Sequence, residues 1–200
     1  MPPLTVSVSP LDPALASPVT WTDEAFMALA EDGQRYEVVN DRLVTMGNSG
    51  ALHGQIAIIL SSALFAIVNA QKLGVVFDSS TAFKMKSGNK RAPDISFMAK
   101  ARLQGLSAIP TGFLEGAPDL CVEILSPGNT VEEIDAKLQE YFANGARLVW
   151  VISPTQRYVL VYRSAMEPDR LLKSTDTLDG EAVVPGFTLP IEQLFPSLEF

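Results

Sequence analysis

The chain has little of what disulfide-stabilised or zinc-binding proteins need. Its 200 residues include one cysteine, Cys121, and one histidine, His53. A single cysteine excludes an internal disulfide, fits a reducing compartment and leaves no cysteine cluster that could ligate zinc. We therefore expect a cytoplasmic protein in which Cys121 is an inert core thiol rather than a nucleophile.

Basic residues are also scarce, with 15 Lys and Arg against 23 Asp and Glu and a formal net charge of −8. This balance argues against a broad, nonspecific grip on nucleic acid, which requires a basic surface. It leaves room for a metal-dependent nuclease, because a bound metal offsets the charge of clustered carboxylates locally.

Long apolar runs and targeting signals are missing as well. The longest apolar stretch, around residues 57–68, is interrupted by Ser61 and Ser62 and is predicted to be too short to span a bilayer. The first twenty residues have neither a basic n-region nor an apolar h-region, so we expect no signal peptide and no membrane association. The sequence has no Gly-rich phosphate loop and no Gly-x-Ser-x-Gly elbow.

The length and the apolar content of the chain suit a single domain with a full hydrophobic core, since 47% of the 200 residues are apolar. Residues 1–19, with five prolines, are predicted to form an N-terminal arm, and residues 20–200 the domain. The predicted order is helix, hairpin, long helix, several strands, a helix with a capping box, and further strands. This order indicates a mixed sheet flanked by helices, an α/β (α+β) fold.

Three of these elements have clear boundaries in the sequence. The first helix, in residues 20–32, is capped by Thr20 or Thr22 and ends at Gly33. The segment "RYEVVNDRLVTM" predicts a hairpin that turns at Asn40-Asp41. The long helix is predicted to run over residues 51–73 and to end at Gly74.

A carboxylate in an apolar strand raises the question of function. Glu123 lies in the middle of "LCVEIL", where an unpaired charge costs several kcal/mol, so some group should meet it. Asp94 lies in "RAPDISFM", the neighbouring apolar strand. Two carboxylates from neighbouring strands can share Mg²⁺, which takes hard oxygen ligands and needs only one or two carboxylates. The backbone carbonyl of Ile124 could add a further oxygen.

Lys137 lies in the capped helix that follows Glu123. It is about 40° from Tyr141 around the helix and borders the apolar stripe. A lysine at this edge can extend along the sheet toward the carboxylates and steady a water or a phosphate charge. The predicted stripe consists of Val131, Ile134, Leu138, Tyr141 and Phe142.

Each of these residues also has a structural interpretation. Asp94 could begin a strand or bind a turn amide, Glu123 could lie on an edge strand, and Lys137 could be solvated. His53 is either an acid/base or phosphate contact or a polar capping residue of the long helix. Glu37, on the predicted hairpin, is either a third carboxylate or faces water.

Taken together, the motifs resemble the Uma-two family of restriction-endonuclease-like proteins, within the PD-(D/E)XK nuclease superfamily. The resemblance covers about residues 20–196 and implies a restriction-endonuclease-like mixed sheet flanked by helices, with Mg²⁺-dependent cleavage of phosphodiesters. The segments that carry it are "YEVVNDRLVTM", "RAPDISFM", "GAPDLCVEILSPGNT", "KLQEYFANGARLVWVISP" and "PGFTLPIEQLF".

By this resemblance, Asp94 and Glu123 match the two metal-binding acids, and Glu37 matches the hairpin glutamate of the family. Leu125 occupies the position where the superfamily usually has its lysine. The family is thought to have moved that lysine to the following helix, where Lys137 fits.

Two further residues, His53 and Tyr141, are auxiliary candidates at this site. The implied function is a DNA endonuclease that uses Mg²⁺ or Mn²⁺, with a homodimer suited to cutting two strands. Two alternatives remain: a non-catalytic nuclease-fold module for binding or assembly, and a hydrolase of a smaller phosphoester.

Overall fold

The computed structural model describes residues 21–29, 34–47 and 49–195. The predicted arm, the alternative cap Thr20 and the predicted helix end at Gly33 lie outside these ranges. The described residues form four α-helices: α1 (Asp23–Ala28), α2 (Ala51–Gln71), α3 (Val131–Ala143) and α4 (Ile191–Leu194). Their strands are β1 (Arg35–Val39), β2 (Arg42–Met46), β3 (Gly74–Asp78), β4 (Phe83–Lys84), β5 (Lys90–Arg91), β6 (Ile95–Ala99), β7 (Leu114–Glu115), β8 (Leu120–Ile124), β9 (Leu148–Ser153), β10 (Tyr158–Tyr162), β11 (Arg170–Leu172), β12 (Thr177–Asp179) and β13 (Thr188–Pro190).

The prediction of a mixed sheet flanked by helices is confirmed, but the strands divide among three sheets. The central sheet has six strands in the order β11-β10-β9-β8-β6-β3. It is mixed because β8 and β9 run parallel while its other neighbouring strands are antiparallel. A five-stranded sheet has the order β2-β1-β5-β4-β7, and β12 pairs with β13.

The N-terminal elements follow their sequence signals. Thr22 caps α1 by accepting a hydrogen bond from the backbone N–H of Ala25 at 3.1 Å. The hairpin of β1 and β2 turns at Asn40 and Asp41, with φ of 51° and 59°. Positive φ at both central residues is what a two-residue type I′ turn requires, and Asn and Asp tolerate it well.

The two faces of the central sheet are covered by different helices. Helix α2 packs Ile56, Leu60, Leu64 and Val68 into the core on one face. Helix α3 packs Ile134, Leu138 and Tyr141 on the other. Because side chains alternate along β8, Leu120, Val122 and Ile124 face α2, whereas Cys121 and Glu123 face α3. The strand therefore presents its carboxylate to the helix that carries Lys137.

Cys121 behaves as predicted, because it is a fully buried free thiol. Burial raises the pKa of the thiol well above its usual range, with a further contribution from Glu123. A thiol held protonated in this way is a poor nucleophile.

Helix α3 confirms the predicted capping box. Thr130 accepts a hydrogen bond from the Glu133 backbone, and the Glu133 side chain accepts one from the Thr130 backbone. After the helix, Gly145 has a φ of 105°. The predicted apolar stripe is wrong at Val131, whose exposed fraction is 72%. As the first helical residue, Val131 lies where the chain enters from a loop, before the helix reaches the sheet.

Helix α2 ends at Gln71, and the left-handed residue after it is Lys72. Gly74 does not close the helix but begins β3, where a Cβ would lie 2.0 Å from the Met98 carbonyl oxygen. By length and composition alone, α2, which has 21 residues and an 18-residue window with a mean hydropathy of 1.9, could cross a membrane. The prediction that Ser61 and Ser62 make this segment too short is therefore wrong on these criteria.

Candidate active site

A cleft of about 550 Å³ opens where the hairpin of β1 and β2, the end of β8 and the start of α3 meet. Its lining includes five of the residues predicted from the sequence: Glu37, His53, Asp94, Glu123 and Lys137. The sixth, Tyr141, is fully buried behind Glu123. The structure thus brings together side chains that are far apart in the sequence, since Glu37 and Lys137 are separated by 100 positions.

Glu123 is met by two side chains of α3. Its Oε2 accepts a hydrogen bond from Lys137 Nζ at 2.7 Å, and its Oε1 accepts one from the Tyr141 hydroxyl at 2.6 Å. Residues four apart lie on the same face of a helix, one turn from each other, so α3 presents both donors to one carboxylate. Glu123 is 6% exposed, and β8 lies between β9 and β6 in the central sheet, which excludes the edge-strand interpretation.

Burial and neighbouring charge set the protonation of these three groups. Burial raises the pKa of Glu123 to about 7, against the lowering effect of Lys137, and Asp94 and Glu37 raise it further. Burial alone would lower the pKa of Lys137, but Glu123 and Glu37 hold it above the ordinary lysine value. Burial, followed by Glu123, raises the pKa of Tyr141 well above its usual range. Lys137 is therefore a cation and Tyr141 a neutral donor near neutral pH.

Asp94 lies at the entrance to β6, opposite the end of β8. Its Oδ2 accepts a hydrogen bond from the Ile124 backbone N–H at 2.7 Å. The Leu125 N–H points the other way, to the Ile152 carbonyl of β9. Because the N–H and C=O of one strand residue point to the same side, the Ile124 carbonyl also faces the side of Asp94.

His53 reaches the same carboxylate from the first turn of α2. Its Nε2 lies 3.2 Å from Asp94 Oδ2. The N-cap of α2 is Gly50, with no side-chain capping bond, so the interpretation of His53 as a capping residue is wrong. The histidine instead belongs to the cleft.

Glu37 does not face water, since its exposed fraction is 2%. Its Oε1 accepts a hydrogen bond from the Ala92 backbone at 2.9 Å, and its Oε2 accepts one from Arg91 Nη1 at 3.0 Å. Lys137 Nζ lies 3.8 Å from Glu37 Oε1. The lysine is therefore placed between two buried carboxylates, Glu37 and Glu123.

In this geometry the two predicted metal ligands are each engaged by protein donors. Within residues 21–29, 34–47 and 49–195, no group of three or more His, Cys, Asp or Glu side chains is arranged to hold a metal ion. Glu123 turns toward α3 and Asp94 toward the Ile124 amide. The oxygens that share the cleft, two carboxylates and one carbonyl, are nonetheless the hard donors that Mg²⁺ takes.

Comparison with known proteins identifies the fold family. Residues 23–192 match the model of the Uma2 family, described as "Putative restriction endonuclease". The chain belongs to the Uma2 family. A crystal structure of a "putative nuclease" from Anabaena variabilis ATCC 29413 is similar, with a TM-score of 0.69 and 21% sequence identity over 80% of this chain and 89% of that one. That likeness shows a shared fold. No curated protein matches the chain.

This Uma2 protein has a second charged network that the sequence reasoning missed. Arg91 bridges Glu37 and Glu140, with its Nε 2.5 Å from Glu140 Oε2. The other oxygen of Glu140, Oε1, accepts hydrogen bonds from Asn89 and Ser87 at 2.6 and 2.9 Å. The network ties the turn between β4 and β5 to α3, beside Lys137. The only trace of this network in the sequence is Arg91 itself, three residues before Asp94. The partners of Arg91, Glu140 and Glu37, lie 49 and 54 positions away in the chain.

We expect Arg91→Lys to lower the free energy of unfolding by about 2 kcal/mol, because an ammonium cannot reproduce the planar fork that joins two carboxylates. Urea denaturation would measure the change. Arg163→Lys is the matched control, since Arg163 also bridges two acids but is exposed, and its loss should stay within about 1 kcal/mol. Equal losses in the two variants would show that the buried network does not stabilise the site.

Proposed function

We propose that this protein is an endonuclease that hydrolyses phosphodiester bonds of DNA with the help of Mg²⁺ or Mn²⁺. The observation that carries the proposal is the contact of Lys137 with Glu123, in the cleft that also holds Asp94. Membership of the Uma2 family supports hydrolysis of nucleic acid as the reaction class.

Asp94 and Glu123 would hold the ion, joined by the backbone carbonyl of Ile124. Two carboxylates are enough, because Mg²⁺ keeps several waters and needs only one or two protein carboxylates. When bound, the ion supplies Lewis acidity: it lowers the pKa of a water and offsets charge on the phosphate.

The remaining side chains of the cleft orient these groups. Lys137, held as a cation between Glu37 and Glu123, can position a water or stabilise charge on the scissile phosphate. Tyr141 fixes the direction of the Glu123 carboxylate by donating to Oε1. His53, whose Nε2 lies 3.2 Å from Asp94 Oδ2, restrains the Asp94 carboxylate.

The net charge of −8 predicts that DNA affinity is modest and salt-sensitive. The size of the cleft favours a second candidate, a smaller phosphoester. Its volume of about 550 Å³ lies within the usual range for sites that enclose small molecules, roughly 300–1,000 Å³. Both candidates use the same acids and lysine, so they differ in substrate rather than in chemistry.

The test is cleavage of plasmid, single-stranded DNA and a small phosphodiester such as bis(p-nitrophenyl) phosphate, with Mg²⁺ or Mn²⁺ and with EDTA. We expect the wild type to nick or linearise plasmid only with metal, and Asp94→Asn to be slower by at least about 100-fold, since a lost ligand removes several kcal/mol of transition-state stabilisation.

Asp135→Asn is the matched control, because Asp135 is an exposed aspartate of α3 outside the cleft lining, and it should cleave like the wild type. Turnover of the small diester without DNA cleavage would favour the second candidate. Metal binding without hydrolysis of any of the three substrates would favour a binding module.

A further inference from the structure

The outer face of α2 lies at the surface but has no charged residue, and its exposed polar residues are Gln55, Ser62 and Asn69. The helix has no Asp, Glu, Lys or Arg in its 21 residues, and four of them are buried in the core. Ile58 and Phe65, seven residues apart and therefore on the same side of the helix, have exposed fractions of 60 and 59%. A surface helix normally has charged residues beside such large apolar side chains, so the side that carries Ile58 and Phe65 resembles one that is covered.

The sheet edge next to α2 is open as well. Strand β3 is the outermost strand of the central sheet and pairs only with β6 among the described strands. The Lys100 N–H donates to the Leu73 carbonyl, so Leu73 directs its backbone groups to β6. Every second residue does the same along an antiparallel strand, which means that Val75 and Phe77 also bond to β6. The N–H and C=O of Val76 therefore point outward, with no backbone partner in the described part of the chain. The segment "GVVFD" has neither Lys nor Pro, which commonly blunt edge strands.

A groove of about 260 Å³ joins the helix face to the strand edge. It is lined by Ser61, Ser62 and Phe65 of α2 and by Val76, Phe77 and Asp78 of β3. We call the whole region the α2–β3 surface, defined by Ile58, Ser62, Phe65 and Val76. A helix side with exposed apolar residues beside an unpaired strand edge offers both hydrophobic contact and backbone hydrogen bonds to an occupant.

We propose that a second copy of this chain occupies the α2–β3 surface, with β3 pairing antiparallel to β3 across a two-fold axis and α2 packing on α2. Two identical edges satisfy each other's outward backbone groups, and an isologous contact closes at two copies. In a register centred on Val76, Asp78 of one copy lies opposite Gly74 of the other, so no like charges face each other.

Charge favours self-association at this surface over others. Copies with a net charge of −8 repel each other in general, and a helix without charged residues is where that repulsion is weakest. The same net charge disfavours an anionic bilayer as the occupant, and the helix face lacks the basic residues typical of membrane-surface helices.

The area is sufficient for a specific dimer. A helix of 21 residues is about 30 Å long, and a helix with a neighbouring strand covers a band about 20 Å wide. Each copy would then bury about 600 Å², or about 1,200 Å² in total, the lower end of stable specific interfaces. We therefore expect a dimer with micromolar affinity rather than an obligate one.

Light scattering after size-exclusion chromatography tests the proposal on the full chain without metal or DNA. We expect the wild type to have twice the chain mass of 21.6 kDa at micromolar concentration. Phe65→Glu should raise the dimer dissociation constant at least about tenfold, because it places two carboxylates across the axis. Met166→Glu is the matched control, since Met166 is 89% exposed elsewhere on the surface, and it should remain dimeric.

Val76→Pro is the second variant. It removes the outward N–H of β3 while leaving the bonds of Val75 and Phe77 to β6, so it should also yield monomers with an unchanged circular dichroism spectrum. This variant decides the matter if Phe65→Glu fails to fold. The proposal is overturned if the wild type is monomeric or if both folded variants stay dimeric. A monomeric wild type that floats with phosphatidylcholine–phosphatidylglycerol vesicles, when Phe65→Glu does not, would identify a membrane as the occupant instead. Because mass is measured without catalysis, these outcomes are separate from failure of the proposed nuclease activity.

Discussion

Glu123→Gln is expected to lose metal binding and to cleave DNA about 1,000-fold more slowly than the wild type. The substitution keeps the shape of the side chain and an oxygen for the Tyr141 hydroxyl. It removes the charge that a divalent ion needs from one of two carboxylates, and a loss of this size corresponds to about 4 kcal/mol of transition-state stabilisation. Calorimetric titration with Mg²⁺ and Mn²⁺, followed by plasmid cleavage, would measure both effects.

Glu132→Gln provides the matched control, because Glu132 is an exposed acid of α3 that does not line the cleft. It should bind metal and cleave like the wild type. If Glu123→Gln bound metal with wild-type affinity, Glu123 would not be a ligand. Its role would then be confined to the buried ion pair with Lys137, and the nuclease proposal would lose its second acid.

Local signals in the sequence were sufficient for most of the fold. Asn40-Asp41 predicted a two-residue turn because few residues tolerate positive φ twice, and Thr130 with Glu133 predicted the start of α3. The family resemblance, confirmed by the match over residues 23–192, supplied the architecture. The division into several sheets was not predictable, since β4, β5 and β7 are two residues long and their pairing depends on distant parts of the chain.

The site was predicted in part, for a related reason. A carboxylate between Val122 and Ile124 must be met by a partner, and helical spacing placed Lys137 within reach of it. The sequence favoured a metal as that partner, whereas the structure shows that Lys137 and Tyr141 occupy both oxygens. The sequence does not indicate the role of Arg91, because that role depends on contacts with Glu37 and Glu140, which no local pattern reveals.

Lys137→Met is expected to lower the free energy of unfolding by about 1.4 kcal/mol at pH 8 and by about 3 kcal/mol at pH 9, because it leaves a buried carboxylate without its cation. Methionine retains most of the length and apolar volume of the lysine stem, so the effect reports charge rather than packing. Without Lys137, the desolvated Glu123 also lies near Asp94 and Glu37, both of which raise its pKa further. Cleavage should be lost in the same variant.

The loss should depend on pH in a direction that follows from the pKa of Glu123. In the wild type the folded-state pKa, about 7, exceeds the ordinary value of 4.5, so the folded protein binds more protons between these values. Protonated Glu123 therefore contributes its full stabilisation below pH 4.5, and this stabilisation is lost as the pH rises through 7. In Lys137→Met the folded-state pKa is higher still, so the destabilisation should be small up to about pH 7 and should grow by about 1.4 kcal/mol per pH unit above it, until the pKa of Glu123 in the variant is passed. Urea denaturation of metal-free protein at several pH values would measure this dependence.

Two further variants separate the ion pair from a general effect of losing a lysine. Lys86→Met removes an exposed lysine and should change the free energy of unfolding by less than about 0.5 kcal/mol at any pH. The double variant Lys137→Met with Glu123→Gln removes both charges, so it should recover most of the stability lost at pH 8 and show little pH dependence. If Lys137→Met were as stable as the wild type at pH 8, the buried carboxylate would have to be solvated or paired in another way. The contact of Lys137 with Glu123 would then no longer explain how an acid is retained in the middle of β8.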